Sequence, residues 1–364
     1  MRRTPLIEQH RHAGAKLVDF AGWEMPLQYS GVVDEYQTVR TKAGLFDVSH
    51  MGRILVSGLD SGSLLQRVTT NDVSKLVVGQ AQYSMVCNDH GGIRDDIFIY
   101  RTGEKDFLLC VNASNREKIL TWIGEQHRSE DHCTIEDCSA AMAQIAVQGP
   151  ASRNILARLG ANDIGTLKLH HSSESRLAGI LCFMARTGYT GELGYELNVP
   201  SEQAEELWKR ILEAGRAEGI KPAGLGARDL LRLEMGYSLY GNDIDETTTP
   251  LEAGAEWAVS FEKGDFIGRP TLLVQKQSGV QRKLIAFELL DKGVPRHGFK
   301  ILDASSQPIG EVTSGNLSPI LQKGIGLGYV PSTFTAVGTS IAIDIRGKVL
   351  PAVVVKLPFY RRKS

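Results

Sequence analysis

The most constraining feature of the sequence is its last part, where short apolar runs alternate with Gly and Pro from about Lys283 onward. Runs of this length, broken by turn residues and without helical periodicity, predict a series of β-strands. The predicted strands are Leu284–Leu289, Phe299–Asp303, Pro308–Thr313, Gly324–Tyr329, Ser340–Ile345 and Pro351–Lys356. Short strands without a helix between them predict a separate β-barrel or β-sandwich domain.

The residues before this domain mix strand-like and helix-like segments, and they predict an α+β architecture. Three apolar runs joined by short turns, Ala81–Cys87, Ile93–Tyr100 and Phe107–Val111, predict an antiparallel meander. Ser114, with a glutamate three residues later, matches a capping box and predicts the start of a helix. The polar segment Glu262–Gly279 is predicted to connect these elements to the β domain.

Length and composition limit the class of protein. A chain of 364 residues allows about two or three domains, and its 38 glycines favour a turn-rich fold with antiparallel sheet. The formal net charge of -1 lacks the basic excess of a typical nucleic-acid-binding protein. The one basic cluster, Arg361–Lys363, is interpreted as a solvated tail or as a contact for an anionic ligand or acidic partner. No apolar run approaches the roughly 18 residues of a membrane span, and we expect no signal peptide.

Neither the cysteines nor the histidines form a recognisable metal or redox motif. The five cysteines are odd in number and include no CxxC, so we expect free thiols and a reducing compartment. The close pairs His10/His12 and His170/His171 have no acidic or cysteine residues at ligand spacing, and they are interpreted as polar surface residues. A GxxxxGK[ST] nucleotide loop is also missing. The sequence therefore predicts no metal site and no built-in cofactor.

Two adjacent aspartates, Asp95 and Asp96, open the second strand of the predicted meander. Neighbouring residues of a strand point to opposite faces, so Asp96 is expected to share a face with Phe98 and Tyr100. Carboxylates are poor strand formers, and one of the two should have a compensating role. A structural ion pair with a nearby arginine such as Arg94 would explain the pattern equally well.

Two further charged residues lie where charges are unusual. Glu196 follows a glycine-rich turn and lies within a predicted strand, where the glycines would let the backbone approach a ligand. An ordinary hairpin with an exposed glutamate is the alternative. Arg228 falls in the first turn of a predicted helix, against the preference of the helix dipole, which indicates an anionic or carbonyl partner. That partner could be a ligand or a structural carboxylate.

Taken in order, several segments resemble the T-protein family of the glycine cleavage system. The similar segments are Arg3–Leu6, Val18–Pro26, Gly44–Gly52, Thr70–Val73, Gly91–Asp96, Arg186–Glu196, Pro222–Glu234, Leu239–Glu246, Thr313–Pro319 and Pro358–Tyr360. The resemblance extends from residue 3 to about residue 361 without large gaps. Each motif alone is moderately specific, and together they are highly specific.

The resemblance implies a three-domain cloverleaf of α+β type, with antiparallel sheets around a central folate cavity and a C-terminal β-barrel or jelly-roll-like domain. The first, folate-binding domain would be discontinuous and would take residues 1–51 and 138–244. A ferredoxin-like second domain would take residues 52–137 and 245–278, and the β domain would take residues 279–364. The discontinuity follows from the resemblance alone, since the order of elements does not indicate it.

The resemblance also implies roles for individual residues. It places the catalytic carboxylate at Asp96, the second Asp of the family's Gly-Gly-x-x-Asp-Asp motif. It places pterin-binding groups at Glu196 and Arg228. Further folate contacts are implied at Met51, Tyr83, Tyr100, Asn112, Tyr189 and Arg361. The tyrosines and the methionine would form walls for the rings, and Arg361 would meet the anionic glutamate tail.

The implied activity is that of a tetrahydrofolate-dependent aminomethyltransferase of glycine catabolism. Such an enzyme takes the aminomethyl group carried on the lipoyl arm of the H-protein and gives its methylene carbon to tetrahydrofolate, the co-substrate. Ammonia leaves and 5,10-methylenetetrahydrofolate forms. The implied partners are the H-protein and tetrahydrofolate, with no nucleic acid, membrane or metal, in the cytoplasm.

Three other hypotheses stay open at this level. One is a non-catalytic folate-binding assembly factor of the same superfamily, although the Lys-Gly-Cys-x-x-Gly-Gln-Glu motif of those proteins is missing. Another is a folate-dependent demethylase. The last is a protein-binding scaffold, which would not explain so many motifs assigned to one cavity.

Overall fold

The computed structural model describes residues 1–161 and 164–362. The chain forms two compact units, and each contains two separate stretches of sequence. The first unit comprises Met1–Ser84 and Asp96–Asp229, and the second comprises Met85–Asp95 and Leu230–Ser364. This division does not test the three-domain boundaries implied by the resemblance, which stay a prediction. Lys363 of the C-terminal basic cluster lies outside the described residues.

The helices in the described part of the chain are short and amphipathic. They are α1 (Ile7–His12), α2 (Val32–Thr41), α3 (Ser61–Val68), α4 (Arg116–Gln126), α5 (Ser152–Arg158), α6 (Ala204–Ala214), α7 (Leu225–Met235) and α8 (Arg269–Ser278). Helix α6 shows the pattern most clearly, since Ala204, Leu207, Trp208 and Ile211 are its buried residues at helical spacing. Its opposite face carries glutamates that pair with Lys or Arg one turn later.

One sequence prediction about a helix is wrong, and another segment contains a helix that was not predicted. The residue that caps α4 is Asn115, and its side chain makes no capping hydrogen bond, so the predicted capping box at Ser114 does not form. The predicted connecting region Glu262–Gly279 contains α8, which starts after the left-handed residue Gly268. A proline in the first turn of α8 is a helix-start signal. The polar composition of the segment obscured that signal.

The strands account for most of the regular structure. They are β1 (Lys16–Phe20), β2 (Trp23–Gln28), β3 (Gly44–Asp47), β4 (Gly52–Gly58), β5 (Ala81–Cys87), β6 (Ile93–Arg101), β7 (Asp106–Val111), β8 (Cys133–Asp137), β9 (Met142–Gln148), β10 (Ser172–Leu177), β11 (Ile180–Ala185), β12 (Gly194–Pro200), β13 (Lys221–Pro222), β14 (Arg282–Leu289), β15 (Lys300–Leu302), β16 (Pro308–Ser318), β17 (Lys323–Pro331), β18 (Ser340–Ile345) and β19 (Lys348–Val355).

The first unit is built on a six-stranded sheet in the order β10-β11-β12-β9-β3-β13. The pairs are antiparallel except for the last, in which β13 runs parallel to β3. Helices α5 and α6 pack against this sheet, and Tyr195, Leu197 and Trp208 lie in the core that they share with it. Residues of β12 that point away from this core, such as Glu196, are therefore left for other contacts.

A five-stranded sheet in the order β5-β6-β7-β4-β8 contains the predicted meander. Strand β6 pairs antiparallel with β7, and Phe98 lies opposite Cys110. The ends of β5 and β6 that flank the intervening turn belong to the second unit, whereas Tyr83, Asp96 and the following residues belong to the first. The arrangement puts alternate residues of β6 and β7 on one face of the sheet.

The C-terminal strands form a closed barrel in the order β14-β17-β16-β15-β18-β19, which confirms the predicted β domain. Alternate residues of β14, Ile285, Phe287 and Leu289, point into its core. The fold is therefore α+β with a barrel at the C-terminal end. None of the helices in the described residues is long and apolar enough to cross a bilayer.

Candidate active site

Asp95 and Asp96 differ in their surroundings, as the alternation along β6 predicts. Asp95 is fully buried, whereas Asp96 is half-buried on the same face as Phe98. Arg94, the partner suggested by the structural alternative, lies 3.8 Å from a carboxylate oxygen of Glu246. Asp96 is thus the aspartate of this pair that faces a partly open surface.

Two neutral side chains hold the Asp96 carboxylate. The Tyr83 hydroxyl donates a hydrogen bond to Oδ2 at 3.1 Å, and the Asn112 amide donates to Oδ1 at 2.8 Å. The same amide lies 3.1 Å from the backbone carbonyl of Asp96. Because each carboxylate oxygen has its own donor, the orientation of the group is fixed.

Aromatic rings form a continuous wall beside this carboxylate. The ring centroids of Tyr83 and Phe98 are 6.0 Å apart, and those of Phe98 and Tyr100 are 5.9 Å apart. Phe183 packs edge-on against Tyr100 at 5.6 Å. Burial, together with the negative charge of Glu196, raises the pKa of Tyr100 well above its usual value, so its hydroxyl stays protonated.

The hydroxyl of Tyr100 is linked to Glu196 through Thr187. Thr187 donates a hydrogen bond to Oε2 of Glu196 at 2.5 Å. Because the Thr187 hydroxyl has a single proton, it accepts from the Tyr100 hydroxyl, and these two oxygens are 3.4 Å apart. Glu196 is half-buried, and within the described residues no basic side chain forms an ion pair with it. The alternative of an ordinary exposed glutamate does not fit this environment. The Glu196 carboxylate is oriented by the hydrogen bond from Thr187, and no basic side chain in the described residues neutralises its charge.

The glycine-rich turn before Glu196 is filled by a buried glutamine. The Gln148 amide donates to the Thr187 carbonyl at 3.2 Å and accepts from the Thr190 hydroxyl at 2.8 Å. A Cβ at Gly188 or at Gly194 would overlap the amide of Gln148. These two glycines therefore leave the space in which the Gln148 side chain hydrogen-bonds to the turn. The turn, held in this way, positions Thr187.

Arg228 lies in the first turn of α7, as predicted, and its guanidinium stacks on a tyrosine. Its guanidinium carbon lies 4.6 Å from the centroid of the Tyr189 ring, a cation–π arrangement. The side chain is half-buried, and no carboxylate in the described part of the chain pairs with it. The structural-carboxylate alternative is therefore not observed, and the planar edge of the guanidinium stays available.

The charges of Glu196 and Arg228 act on the same buried thiol. Burial and, to a smaller extent, the charge of Glu196 raise the pKa of Cys110 to about 12, against the opposing charges of Arg53 and Arg228. Cys110 lies opposite Phe98 in the β6–β7 pair, two residues before Asn112. The two unpaired charges therefore lie around the same part of the sheet that carries Asp96 and its partner.

His10 is fully buried, so the prediction that it is a surface residue is wrong. Its Nε2 lies 2.8 Å from a carboxylate oxygen of Asp47, and its Nδ1 lies 2.9 Å from the Tyr29 hydroxyl, both within hydrogen-bond distance. Burial by itself would raise the pKa of Asp47, but hydrogen bonds and charge from His10, with hydrogen bonds from Thr4 and Ser49, lower it to about 2. This network holds the end of β3, from which the next site residues follow.

His50 and Met51 come directly after this network. Burial, with the nearby charge of Arg228, lowers the pKa of His50 to about 3, so the imidazole is neutral. Its Nδ1 is buried and has no hydrogen-bond partner among the described residues. Met51 is half-buried, and its carbonyl accepts a hydrogen bond from Arg53, which is itself buried and bonded to four backbone carbonyls.

The chain matches two family models that together cover nearly its whole length. Residues 6–263 match the GCVT N-terminal domain, and residues 282–361 match the glycine cleavage T-protein C-terminal barrel domain. The chain belongs to the glycine cleavage T-protein family. This confirms the resemblance inferred from the motifs, and the matched barrel domain coincides with β14 to β19.

Similar proteins cover the same length. An aminomethyltransferase of Halothermothrix orenii is 47% identical over 359 residues, which are 99% of this chain and 100% of that one. One from Desulfitobacterium hafniense is 46% identical over 364 residues, with 100% and 99% covered. The crystal structure of the glycine cleavage system aminomethyltransferase T from Bartonella henselae superposes with a TM-score of 0.92 at 35% identity, covering 99% and 98% of the two chains.

In this T-protein-family chain, most of the residues assigned from sequence lie in the first unit. Tyr83 and Asn112 both contact Asp96, and Arg228 contacts Tyr189. Arg361 belongs to the second unit, where it is exposed beyond the end of β19, and its assignment stays a prediction. Sequence reasoning did not single out Thr187, His50 or Cys110. The first two lie inside the recognised motifs, whereas nothing local marks Cys110.

Proposed function

We propose that this chain is an aminomethyltransferase that moves the methylene carbon of a lipoyl-bound aminomethyl group to tetrahydrofolate and releases ammonia. The observation that carries the proposal is the Asp96 carboxylate, held by Tyr83 and Asn112 beside an aromatic wall. It occurs in a chain that aligns over its full length with proteins named aminomethyltransferase. The lipoyl H-protein is the proposed donor, and the cytoplasm is the proposed compartment.

Asp96 has the chemistry that this transfer needs. When ammonia leaves the N–CH2–S centre, or when a folate nitrogen attacks it, positive charge develops near the carbon. A fixed carboxylate stabilises such a cation without having to reorganise. The same carboxylate can hold the N–H of the attacking folate nitrogen and accept its proton.

Glu196 and Arg228 match the edge of the pterin ring. A pterin presents an N–H and an amino group side by side, and a carboxylate accepts hydrogen bonds from both. Glu196 is oriented by Thr187 and has no basic partner in the described residues, so it is suited to this role. Arg228 offers a planar pair of donors for the pterin carbonyl.

The rings and Met51 are proposed to contact the flat faces of folate. Tyr83, Tyr189 and Met51 are half-buried and can present surface to a ligand. Tyr100 is only 2% exposed, so we propose that it does not contact the folate rings directly. Its proposed role is to hydrogen-bond to Thr187, which orients Glu196.

The function is tested with H-protein carrying an aminomethyl-loaded lipoyl arm. Ammonia and 5,10-methylenetetrahydrofolate are measured together, with and without tetrahydrofolate. We expect both products to form in equal amounts, and ammonia release to depend strongly on tetrahydrofolate. Tight folate binding without turnover would support the assembly-factor hypothesis instead. Turnover with N-methylated glycine but not with loaded H-protein would support the demethylase hypothesis.

Glu196→Gln is expected to raise the KM for tetrahydrofolate about 10- to 100-fold. The reason is the loss of hydrogen bonds between the charged Glu196 carboxylate and the two pterin donors. The Gln amide would also place a donor against the donors of the pterin. The measurement is initial rate against tetrahydrofolate concentration. Glu136→Gln, an exposed strand glutamate, is the control and should leave the KM unchanged. An unchanged KM in Glu196→Gln would remove the pterin assignment.

A further inference from the structure

We infer that helix α2 positions the cation–π pair formed by Arg228 and Tyr189. Two buried residues of this helix, Glu35 and Arg40, are the positioning residues, and they act on the pair through other segments of the first unit. Glu35 holds the start of α7, and Arg40 holds the turn that carries Tyr189. Five residues of α-helix separate the two side chains by about 7.5 Å along the axis. The inference rests on the proposed function, which gives the pair its ligand.

Glu35 anchors the backbone at the start of α7. Its side chain is fully buried, and its Oε2 accepts a hydrogen bond from the Gly224 N–H at 2.8 Å. The Gly224 carbonyl in turn accepts from the Arg228 N–H at 3.1 Å, within the first turn of the helix. Two consecutive backbone contacts thus connect the Glu35 carboxylate to the residue whose guanidinium stacks on Tyr189.

The second oxygen of Glu35 holds the loop that precedes α2. Its Oε1 accepts from the Tyr29 N–H at 2.5 Å and from the Gly31 N–H at 3.1 Å. The two helix starts also pack closely, since a Cβ at Gly226 would lie 2.5 Å from a methyl carbon of Val32, the first residue of α2. The start of α7 is therefore held against α2 both by hydrogen bonds and by close packing.

Arg40 anchors the glycine-rich turn on the other side of the pair. Its Nη1 donates to the Thr190 carbonyl at 2.7 Å and to the Glu192 carboxylate at 2.9 Å. Both side chains of this ion pair are at most 4% exposed. Thr190 directly follows Tyr189, so the contact fixes the backbone next to the ring. A buried ion pair is weak evidence for stability, and its placement here fits a role in geometry.

One helix therefore sets the spacing of the two stacked groups. The guanidinium carbon of Arg228 lies 4.6 Å from the centroid of the Tyr189 ring, and such stacking extends only to about 6 Å. A small shift of either segment would weaken the stack and turn the planar edge that the proposed function assigns to the pterin carbonyl. Misplacement by about 1 Å is enough to lower the efficiency of an enzyme strongly.

The first test uses Glu35→Gln, which keeps the shape of the side chain. Glutamine offers one acceptor oxygen and one donor NH2 group. The oxygen keeps more hydrogen bonds when it faces Tyr29 and Gly31, so the hydrogen bond to Gly224 is the one expected to be lost. Amide hydrogen exchange of the folate-free protein should become about tenfold faster or more at residues 224–228 and stay unchanged at residues 187–192. Glu125→Gln, at an exposed glutamate of α4, is the matched control.

The second test uses Arg40→Lys, which keeps a positive charge beside Glu192. Lysine is shorter and lacks the planar guanidinium, so its contact with the Thr190 carbonyl is expected to weaken while the protein still folds. Exchange should rise several-fold at residues 187–192 and stay unchanged at residues 224–228. Arg210→Lys, at an exposed position of α6, is the control. This variant decides the inference if Glu35→Gln does not fold.

Folate binding separates positioning from a general loss of structure. We expect Glu35→Gln to raise the dissociation constant of tetrahydrofolate about three- to tenfold and to change kcat at saturating folate less than twofold, since Asp96 is left in place. The same substitution in an Arg228→Met background should have no further effect on binding. A residue that acts through Arg228 cannot add to its loss in a double-mutant cycle.

Two results would overturn the inference. One is an equal loss of folate affinity from Glu35→Gln with and without Arg228. The other is unchanged exchange at residues 224–228 in Glu35→Gln together with unchanged exchange at residues 187–192 in Arg40→Lys. Turnover of loaded H-protein by the wild type tests the proposed function separately. The expected exchange pattern without turnover would overturn that function and still support the positioning role of α2.

Discussion

Asp96→Asn is expected to lower kcat for aminomethyl transfer by about a hundred- to ten-thousand-fold, the range for a lost general base or a lost electrostatic stabiliser. The change keeps the size of the side chain, so Asn112 and Tyr83 can still contact it. What it removes is the negative charge that would face the developing cation. Single-turnover formation of methylenetetrahydrofolate measures the effect directly, because product release does not contribute.

Folate binding separates a chemical role of Asp96 from a structural one. We expect the dissociation constant of tetrahydrofolate to change less than tenfold in Asp96→Asn, since Glu196 and Arg228 carry the pterin contacts. Asp89→Asn, at an exposed position in the turn before β6, should behave like the wild type. Full turnover by Asp96→Asn would rule out the catalytic assignment and leave Asp96 as a ligand contact at most.

The β domain was predictable because its signal is local. Each strand of the barrel buries alternate residues, and the turns between strands carry Gly or Pro. Helix α8 was missed for a physical reason, since six of its ten residues are polar and only Leu272 is fully buried. The pairing of β13 with β3 joins residues far apart in the chain, and no local pattern could indicate it.

The site was predictable to the extent that it rests on strand alternation and on recognised motifs. Asp96 and Phe98 share a face because they are two residues apart on one strand. The link from Tyr100 through Thr187 to Glu196 spans strands β6 and β12, so it depends on how two sheets meet. The burial of His10 has the same origin, because its partner Asp47 is distant in sequence.

The second large effect concerns His50 and the pH dependence of stability. The pKa of His50 is lowered to about 3 in the folded protein, mainly by burial, against an unfolded value of about 6.5. The unfolded chain therefore binds a proton below pH 6.5 that the folded chain rejects, so stability is fully present above about pH 6.5 and falls as the pH drops toward 3. The total contribution is on the order of 5 kcal/mol, of which roughly half is lost between pH 7 and pH 4.5.

Urea unfolding of the wild type and of His50→Gln at pH 7 and at pH 4.5 isolates this contribution. The variant cannot titrate here, so its free energy of unfolding should fall by roughly 2 to 3 kcal/mol less than that of the wild type over this interval. Asp47 does not interfere, because its pKa is lowered to about 2 and its contribution is lost only below about pH 4. His12→Gln, at an exposed histidine, should follow the wild type. Equal pH slopes for His50→Gln and the wild type would mean that the buried imidazole accepts a proton in the folded state, next to Arg228.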